Sequence, residues 1–503
     1  MPQTRRRFLK GCATAAAAGS VLTGTGGAVP TDDTAENDVR ENDVVDELPP
    51  HPPEAAGGWS AFRGGYGKTA AVGSDHGFGD GFAFDTLEAD WTADVAGLPV
   101  VDDGTAYVSV DGTVRALNAA DGSIEWQSKA VGASEPPTVG YGTVYVSGEK
   151  TVTALDSASG DVLWQTALDA DDPSVSAPTV AFERVYVCAD GTLYAIDCET
   201  GTIDWRRDSV TINVGDPWNE PKEVERAIGH EVVANDEHVF TIAESGTIAG
   251  LDPLTGEEQL ATDTYYYHLS DLTATDDSVF VRTESEAVVA YDSSTGERDG
   301  VWDGGIRRFA VRGGMLVFVT RYRLVAVDLE SGDQQWAVGN YSHCIGEPVI
   351  ACNTVLVSIG LRGGEYKNSL VAFDLDDGSE QWVFSRAESA SVGGRCVVAN
   401  RTIYIDDGGL TAIRRGGSGR DGSAEDGSED GESDDPGQDG ENGDADHGGE
   451  HADRGDENET DREPNDPGNG GANDQLERDD DGGDAGGRGN HTLLLRKLLT
   501  WMP

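Results

Sequence analysis

The chain predicts an all-β fold, an eight-bladed β-propeller of four-stranded antiparallel blades, from three observations. A turn motif recurs seven times, strands of alternating pattern precede each copy, and two incomplete units at the ends of the repeat region complement each other. The motif is an Asn or Asp followed four residues later by Gly: Asn118/Gly122, Asp156/Gly160, Asp197/Gly201, Asp252/Gly256, Asp292/Gly296, Asp328/Gly332 and Asp374/Gly378. Successive copies stand 38, 41, 55, 40, 36 and 46 residues apart. A small and an apolar residue precede each acid, as in Ala154-Leu155 and Ala195-Ile196. Four residues after the Gly stands Trp126, Trp164, Trp205, Trp336 or Trp382, whereas Leu260 replaces it once and Trp302 comes two residues late.

Each part has a physical reason. The Asx side chain bonds backbone amides of the turn it opens, Gly supplies the positive φ that closes it, and the Trp starts the next strand with a large ring to bury. Upstream lie strands such as Gly142-Thr143-Val144-Tyr145-Val146 and Arg184-Val185-Tyr186-Val187, followed by tight turns such as Asp190-Gly191. One unit is therefore a meander of roughly 40 residues, the size of a blade. Seven units are complete, residues 396–413 supply inner strands without a Trp strand, and residues 88–95 supply Trp91 without inner strands. Joined, these two make an eighth blade, closed by an N-terminal outer strand. Arg414 in the expected Asp position agrees, because no turn into a fourth strand follows it. Seven blades with a loose terminal hairpin is the alternative.

The ends differ from the ring. Thr4-Arg5-Arg6-Arg7-Phe8-Leu9-Lys10, then the apolar residues 13–22 and Ala28-Val29-Pro30, resemble a twin-arginine export signal with Arg5 and Arg6 as its pair. Residues 1–30 are thus expected to direct export of a folded protein to the cell surface or beyond. Cys12 is a poor lipidation site, because its apolar run follows the cysteine instead of preceding it. Residues 31–57 are acidic and Pro-rich and are expected to be a solvated spacer, and residues 58–87 form a lead-in to the ring at 88–415. Residues 416–490 hold almost no apolar side chain and are expected to be disordered. The apolar-basic residues 491–503 are far shorter than the ~20 needed to span a bilayer, so no transmembrane span is expected after signal removal.

The chain of 503 residues carries 92 Asp and Glu against 36 Lys and Arg, a net charge of -56. Residues 31–415 contribute -41 and residues 416–490 contribute -21. Like charge excludes nucleic acid and anionic membranes as partners. Only 7 of the cations are Lys, and an Asp-rich, Lys-poor coat looks like that of proteins working in molar salt, where a Debye length of about 3 Å screens self-repulsion.

The run Asp190-Gly191-Thr192-Leu193-Tyr194-Ala195-Ile196-Asp197-Cys198-Glu199-Thr200-Gly201-Thr202-Ile203-Asp204-Trp205 resembles the tryptophan-docking, or PQQ-like, repeat of quinoprotein alcohol dehydrogenases. The resemblance covers residues 88–413, and Gly58-Trp59-Ser60-Ala61-Phe62-Arg63-Gly64-Gly65 is similar to the lead-in of many exported members. It implies the propeller but not an activity, because the family holds dehydrogenases that bind pyrroloquinoline quinone (PQQ) with calcium, an outer-membrane barrel assembly lipoprotein, and surface proteins without known chemistry. The dehydrogenases use a vicinal Cys-Cys ring, an Asp base and Glu and Asn calcium ligands. No Cys-Cys pair exists here, and the seven repeated Asx residues are turn residues. Asp374-Leu375-Asp376-Asp377-Gly378 is not an EF-hand loop, because Ser385 stands where the bidentate Glu is required. His230, His238, His268 and His343 lack ligand spacing. Cys188 and Cys198 are too far out of register to bridge, while one disulfide among Cys344, Cys352 and Cys396, or buried thiols, both fit the pattern.

No catalytic, cofactor or metal residue is therefore expected, with PQQ and calcium belonging only to the alternative of a degenerate dehydrogenase. The expectation is a monomeric, non-catalytic propeller that binds an unknown protein partner or scaffolds an assembly at the cell surface. Candidate contacts are Trp218, within the insertion at 210–228, and Tyr265, Tyr266 and Tyr267 before the fifth repeat, since exposed aromatics anchor interfaces.

Overall fold

The computed structural model describes residues 48–52, 58–73, 77–78, 84–214, 222–339, 346–360, 366–385 and 394–415. The expected export signal with Arg5, Arg6 and Cys12, the acidic tail, the apolar-basic terminus, Trp218 and Cys344 lie outside the described residues. The chain divides into two units, Met1–Gly422 and Ser423–Pro503, and the described residues all belong to the first.

Eight antiparallel sheets follow one another along the described chain. Blade 3 is representative, with Thr179–Ala181, Arg184–Ala189, Thr192–Asp197 and Ile203–Arg207 paired in sequence order from the innermost strand outward. The eighth blade joins Cys396–Ala399, Thr402–Asp406 and Leu410–Arg415 to the N-terminal strand Leu87–Ala93. Thus the ring closes with one strand from the start of the repeat region and three from its end, as the two incomplete units require. Arg414 does more than stand where no turn is needed: its Nε donates to Asp90 at 2.7 Å and another guanidinium nitrogen to the carbonyl of Ala120, so it ties the closing strand to the next blade.

The motif residues fasten each blade to the next. Asp197 accepts hydrogen bonds from the backbone N–H groups of Thr200 (2.7 Å) and Glu199 (3.2 Å), and Gly201 has a φ of +70°. Trp164 of the preceding blade lies so close that a Cβ on Gly201 would meet its ring at 2.6 Å. The same fit joins Trp91 to Gly122, Trp126 to Gly160, Trp205 to Gly256 and Trp336 to Gly378. Each indole also donates to a turn carbonyl, as Trp164 does to Cys198 at 2.9 Å and Trp205 to Pro253 at 3.0 Å. The small residue ahead of the acid has its own role. Ala195 pairs in register with Tyr186 on one side and Trp205 on the other, so the two rings approach to 5.9 Å across a side chain that leaves them room. Tyr186 and Trp205 then donate to the same carbonyl, that of Pro253 in the following blade.

Where the sequence departs from the repeat, the docking changes. Gly296 receives Thr262 instead of an indole, and the late Trp302 turns onto its own strand at Gly300, leaving nothing near Gly332. There the blades are held by an apolar cluster including Phe280, Phe309 and Leu316. Apolar clusters of this kind fill every interface between sequential blades, so the core is a ring of wedges.

Candidate functional site

In such a meander, the connection between blades and the turn between the second and third strands emerge on one face, and the other two turns on the opposite face. We term these the connection face and the motif face. The turns between first and second strands are short, as in Ala181 to Arg184, and the Asx-Gly turns are uniform. Among the described residues, the long departures from the repeat fall on the connection face. The largest is a hairpin in which Ser209–Val214 pairs with the first half of Lys222–Ala234, whose second half is the innermost strand of blade 4. It is held down by Thr211 N–H donating to Glu258 at 2.8 Å and by Arg226 donating to Ser245 at 3.2 Å.

The three candidate tyrosines occupy the next connection and point in different directions. Tyr265 is 86% exposed and Tyr267 is 76% exposed, whereas Tyr266 is half-buried against the apolar cluster that includes Ile242 and Leu272. Tyr265 adopts a φ of +62°, and its N–H donates to Asp263 at 2.9 Å. The exposed Tyr322 in a turn of blade 6 lies on the same face.

The centre of the ring was not legible in the repeat. Residues 58–73 run round the axis and pair with the inner strands in turn. The N–H groups of Val101, Val139, Ala234, Ala274, Val311 and Ile350, in six different blades, donate to the carbonyls of Trp59, Ser60, Tyr66, Gly67, Thr69 and Ala70 at 2.8–3.0 Å. These inner edges would otherwise expose unpaired amides to a closed channel. Gly67 is required because a Cβ there would sit 2.3 Å from the Ala274 carbonyl.

Arg63 of this segment is buried and spans three blades. Its Nε lies 2.7 Å from the buried Glu347, one terminal nitrogen donates to Thr273 at 3.1 Å, and the other to the Phe309 carbonyl. Lys68 is also buried, and desolvation pushes its pKa down, opposed chiefly by Glu231. It lines a cavity of about 360 Å³ with Phe62, Glu135, Val175, His230 and Leu272. Desolvation holds the Glu135 carboxyl above its ordinary range, with Lys68 opposing.

On the motif face, Leu48–Pro52 of the expected spacer packs on the ring instead of standing free in solvent. His51 stacks on Tyr66 with centroids 4.2 Å apart and lies 3.4 Å from Asp236, and Tyr141 donates to the Pro50 carbonyl at 2.6 Å. Burial lowers the His51 pKa despite Asp236.

Cys188 faces Leu193 in the register and is a free buried thiol, as are Cys198 and Cys396, each pushed up to about 12 by burial, while Cys352 is free and half-buried. Among the described residues, no group of three or more His, Cys, Asp and Glu side chains is placed to hold a metal ion, and no helix is long and apolar enough to cross a membrane.

The family model described as outer membrane protein assembly factor BamB matches residues 54–135, 110–215 and 215–415. The chain belongs to this family of PQQ-like repeat propellers. The family match begins just ahead of the lead-in and ends with the closing blade, so it includes the segment that fills the axis. No curated protein matches the chain in sequence. Among solved structures, the quinohemoprotein alcohol dehydrogenase from Pseudomonas putida is 14% identical, with a TM-score of 0.53 over 73% of this chain and 81% of its own. That from Comamonas testosteroni is 15% identical, with a TM-score of 0.52 over 73% and 82%. BamB from Moraxella catarrhalis is 16% identical, with a TM-score of 0.48 over 67% and 99%. At these identities the likeness concerns the fold alone.

Proposed function

We propose that this member of the BamB family is an exported, non-catalytic propeller that binds a protein partner through its connection face at the cell surface. The observation that carries the reading is the gathering of the described long departures on that face, where Tyr265 and Tyr267 present two exposed rings and the inserted hairpin lies. Rigid strands hold these residues and loops present them, which is how propellers recognise partners. Trp218, which the sequence places between Val214 and Lys222, is proposed to act with them.

A PQQ-dependent dehydrogenase is the competing reading, and the residues at the axis do not fit the quinone. The lead-in runs through the middle of the ring, and Glu347 is already engaged by Arg63 at 2.7 Å. The family match to an assembly factor supports the same choice.

The test is affinity capture from native envelopes in molar salt, comparing wild type with a Tyr265→Ser/Tyr267→Ser variant of equal thermal midpoint. A specific partner held by wild type and lost by the variant is expected; identical capture profiles overturn the surface assignment. In a parallel arm, PQQ with Ca²⁺ is expected to give neither a cofactor absorbance nor a thermal shift, and clear binding of both overturns the non-catalytic reading.

A further inference from the structure

We propose that the cavity lined by Lys68 and Glu135 binds a small zwitterion with an apolar side chain, a free α-amino acid. The site is independent of the partner surface.

Two of the charges around the cavity make no direct side-chain contact within the protein. Glu231 accepts the N–H groups of Asp271 at 3.2 Å and Leu272 at 2.7 Å. Asp271 is paired with Arg282, and Glu347 with Arg63. Lys68 and Glu135 line the same space, and among the described residues neither has an ion-pair partner within 4.0 Å or a hydrogen bond from its side chain. Lys68 is only 9% exposed, and the attraction of Glu231 and Glu135 offsets the desolvation of its ammonium only in part. A buried charge without a partner is costly, and a ligand that supplies the missing opposite charge recovers that cost.

The ligand must carry both signs. An anion alone would approach Lys68 but meet Glu135, Glu231 and Asp271, while a cation alone would meet Lys68 and Arg63. An α-amino acid offers a carboxylate to Lys68 and an ammonium to Glu135. Its apolar side chain meets Phe62, Val175 and Leu272 in the same lining. The volume of about 360 Å³ suits a ligand of that size, and the exposed His230 and Ser174 mark a mouth on the connection face.

Equilibrium dialysis of the full chain in molar salt, with labelled L-leucine as the probe, tests the site. Unlabelled leucine is expected to compete, whereas isocaproate, which lacks the amine, and isopentylamine, which lacks the carboxylate, compete at least about tenfold less well. Lys68→Met and Glu135→Gln are each expected to weaken leucine at least about tenfold, the loss of one charge-assisted contact. Glu135 is less buried than Lys68, so the Gln variant decides the matter if the Met variant fails to fold. Absence of leucine binding to folded wild type overturns the proposal. So does isocaproate competing as well as leucine, or a folded variant that binds like wild type. Leucine binding retained by Tyr265→Ser/Tyr267→Ser would separate this site from the partner surface.

Discussion

Arg63 binds the lead-in to the ring. Its guanidinium reaches Glu347, Thr273 and the Phe309 carbonyl, which belong to three different blades or their entries, and its Cζ stands 5.4 Å from the centroid of the Phe309 ring. Replacing it by Ala would leave Glu347, itself 6% exposed, with Arg395 at 3.8 Å as its one cation among the described residues. Removing one member of a buried pair strands the other charge, so Arg63→Ala is expected to cost about 3–5 kcal/mol. Urea unfolding in molar salt measures this, and a loss below about 1 kcal/mol would assign the pair a surface-like role. The residue was visible in the sequence only as part of a lead-in. Its partners lie more than two hundred positions away, and no local pattern announces such a contact.

At the scale of elements, the repeated Gly performs two functions that the structure separates. Gly201 and Gly332 share a φ near +70°, but Gly201 lies against Trp164 whereas Gly332 has nothing within 4 Å of a built Cβ. Gly332→Ala is expected to cost about 1–2 kcal/mol, the left-handed backbone alone. Gly201→Ala adds the overlap with the indole, a further ~1–3 kcal/mol. Equal losses in the two variants, read from the same unfolding curves, would mean that the indole yields freely. The turn itself was legible because Asx, Gly and Trp act within ten residues of one another. That the Trp seals the neighbouring blade was not, because the contact crosses between repeats. The same holds for the tyrosines: position along the chain singled out Tyr265, Tyr266 and Tyr267 together, and only packing turned Tyr266 inward.

For the whole molecule, the ring with its spacer and lead-in carries -41 of charge over residues 31–415. Lowering the ionic strength from molar to about 0.1 M lengthens the Debye screening from about 3 Å to about 10 Å, so that charges on adjacent blades repel. The thermal midpoint is therefore expected to fall steeply on dilution of salt. Removing Ser423–Pro503, which forms a separate unit, is expected to leave that midpoint nearly unchanged at any one salt concentration. Scanning calorimetry of the full and shortened chains across a salt series checks both. A large loss on truncation would make the tail part of the folded ring.

The sequence by itself determined the blade, the number of blades and the way the circle closes. These follow from the spacing of Asx, Gly and Trp, and from two half-units that cannot bury their apolar faces alone. Tertiary structure decided what fills the axis, which face carries the departures, and which side chains converge there. Inner-strand edges need hydrogen-bond partners only once the ring has brought them together, and residues 58–73 supply them from a segment without repeat or period. The same closure places Lys68 and Glu135 on one cavity, an arrangement set by the ring's diameter and not by any local preference of the chain.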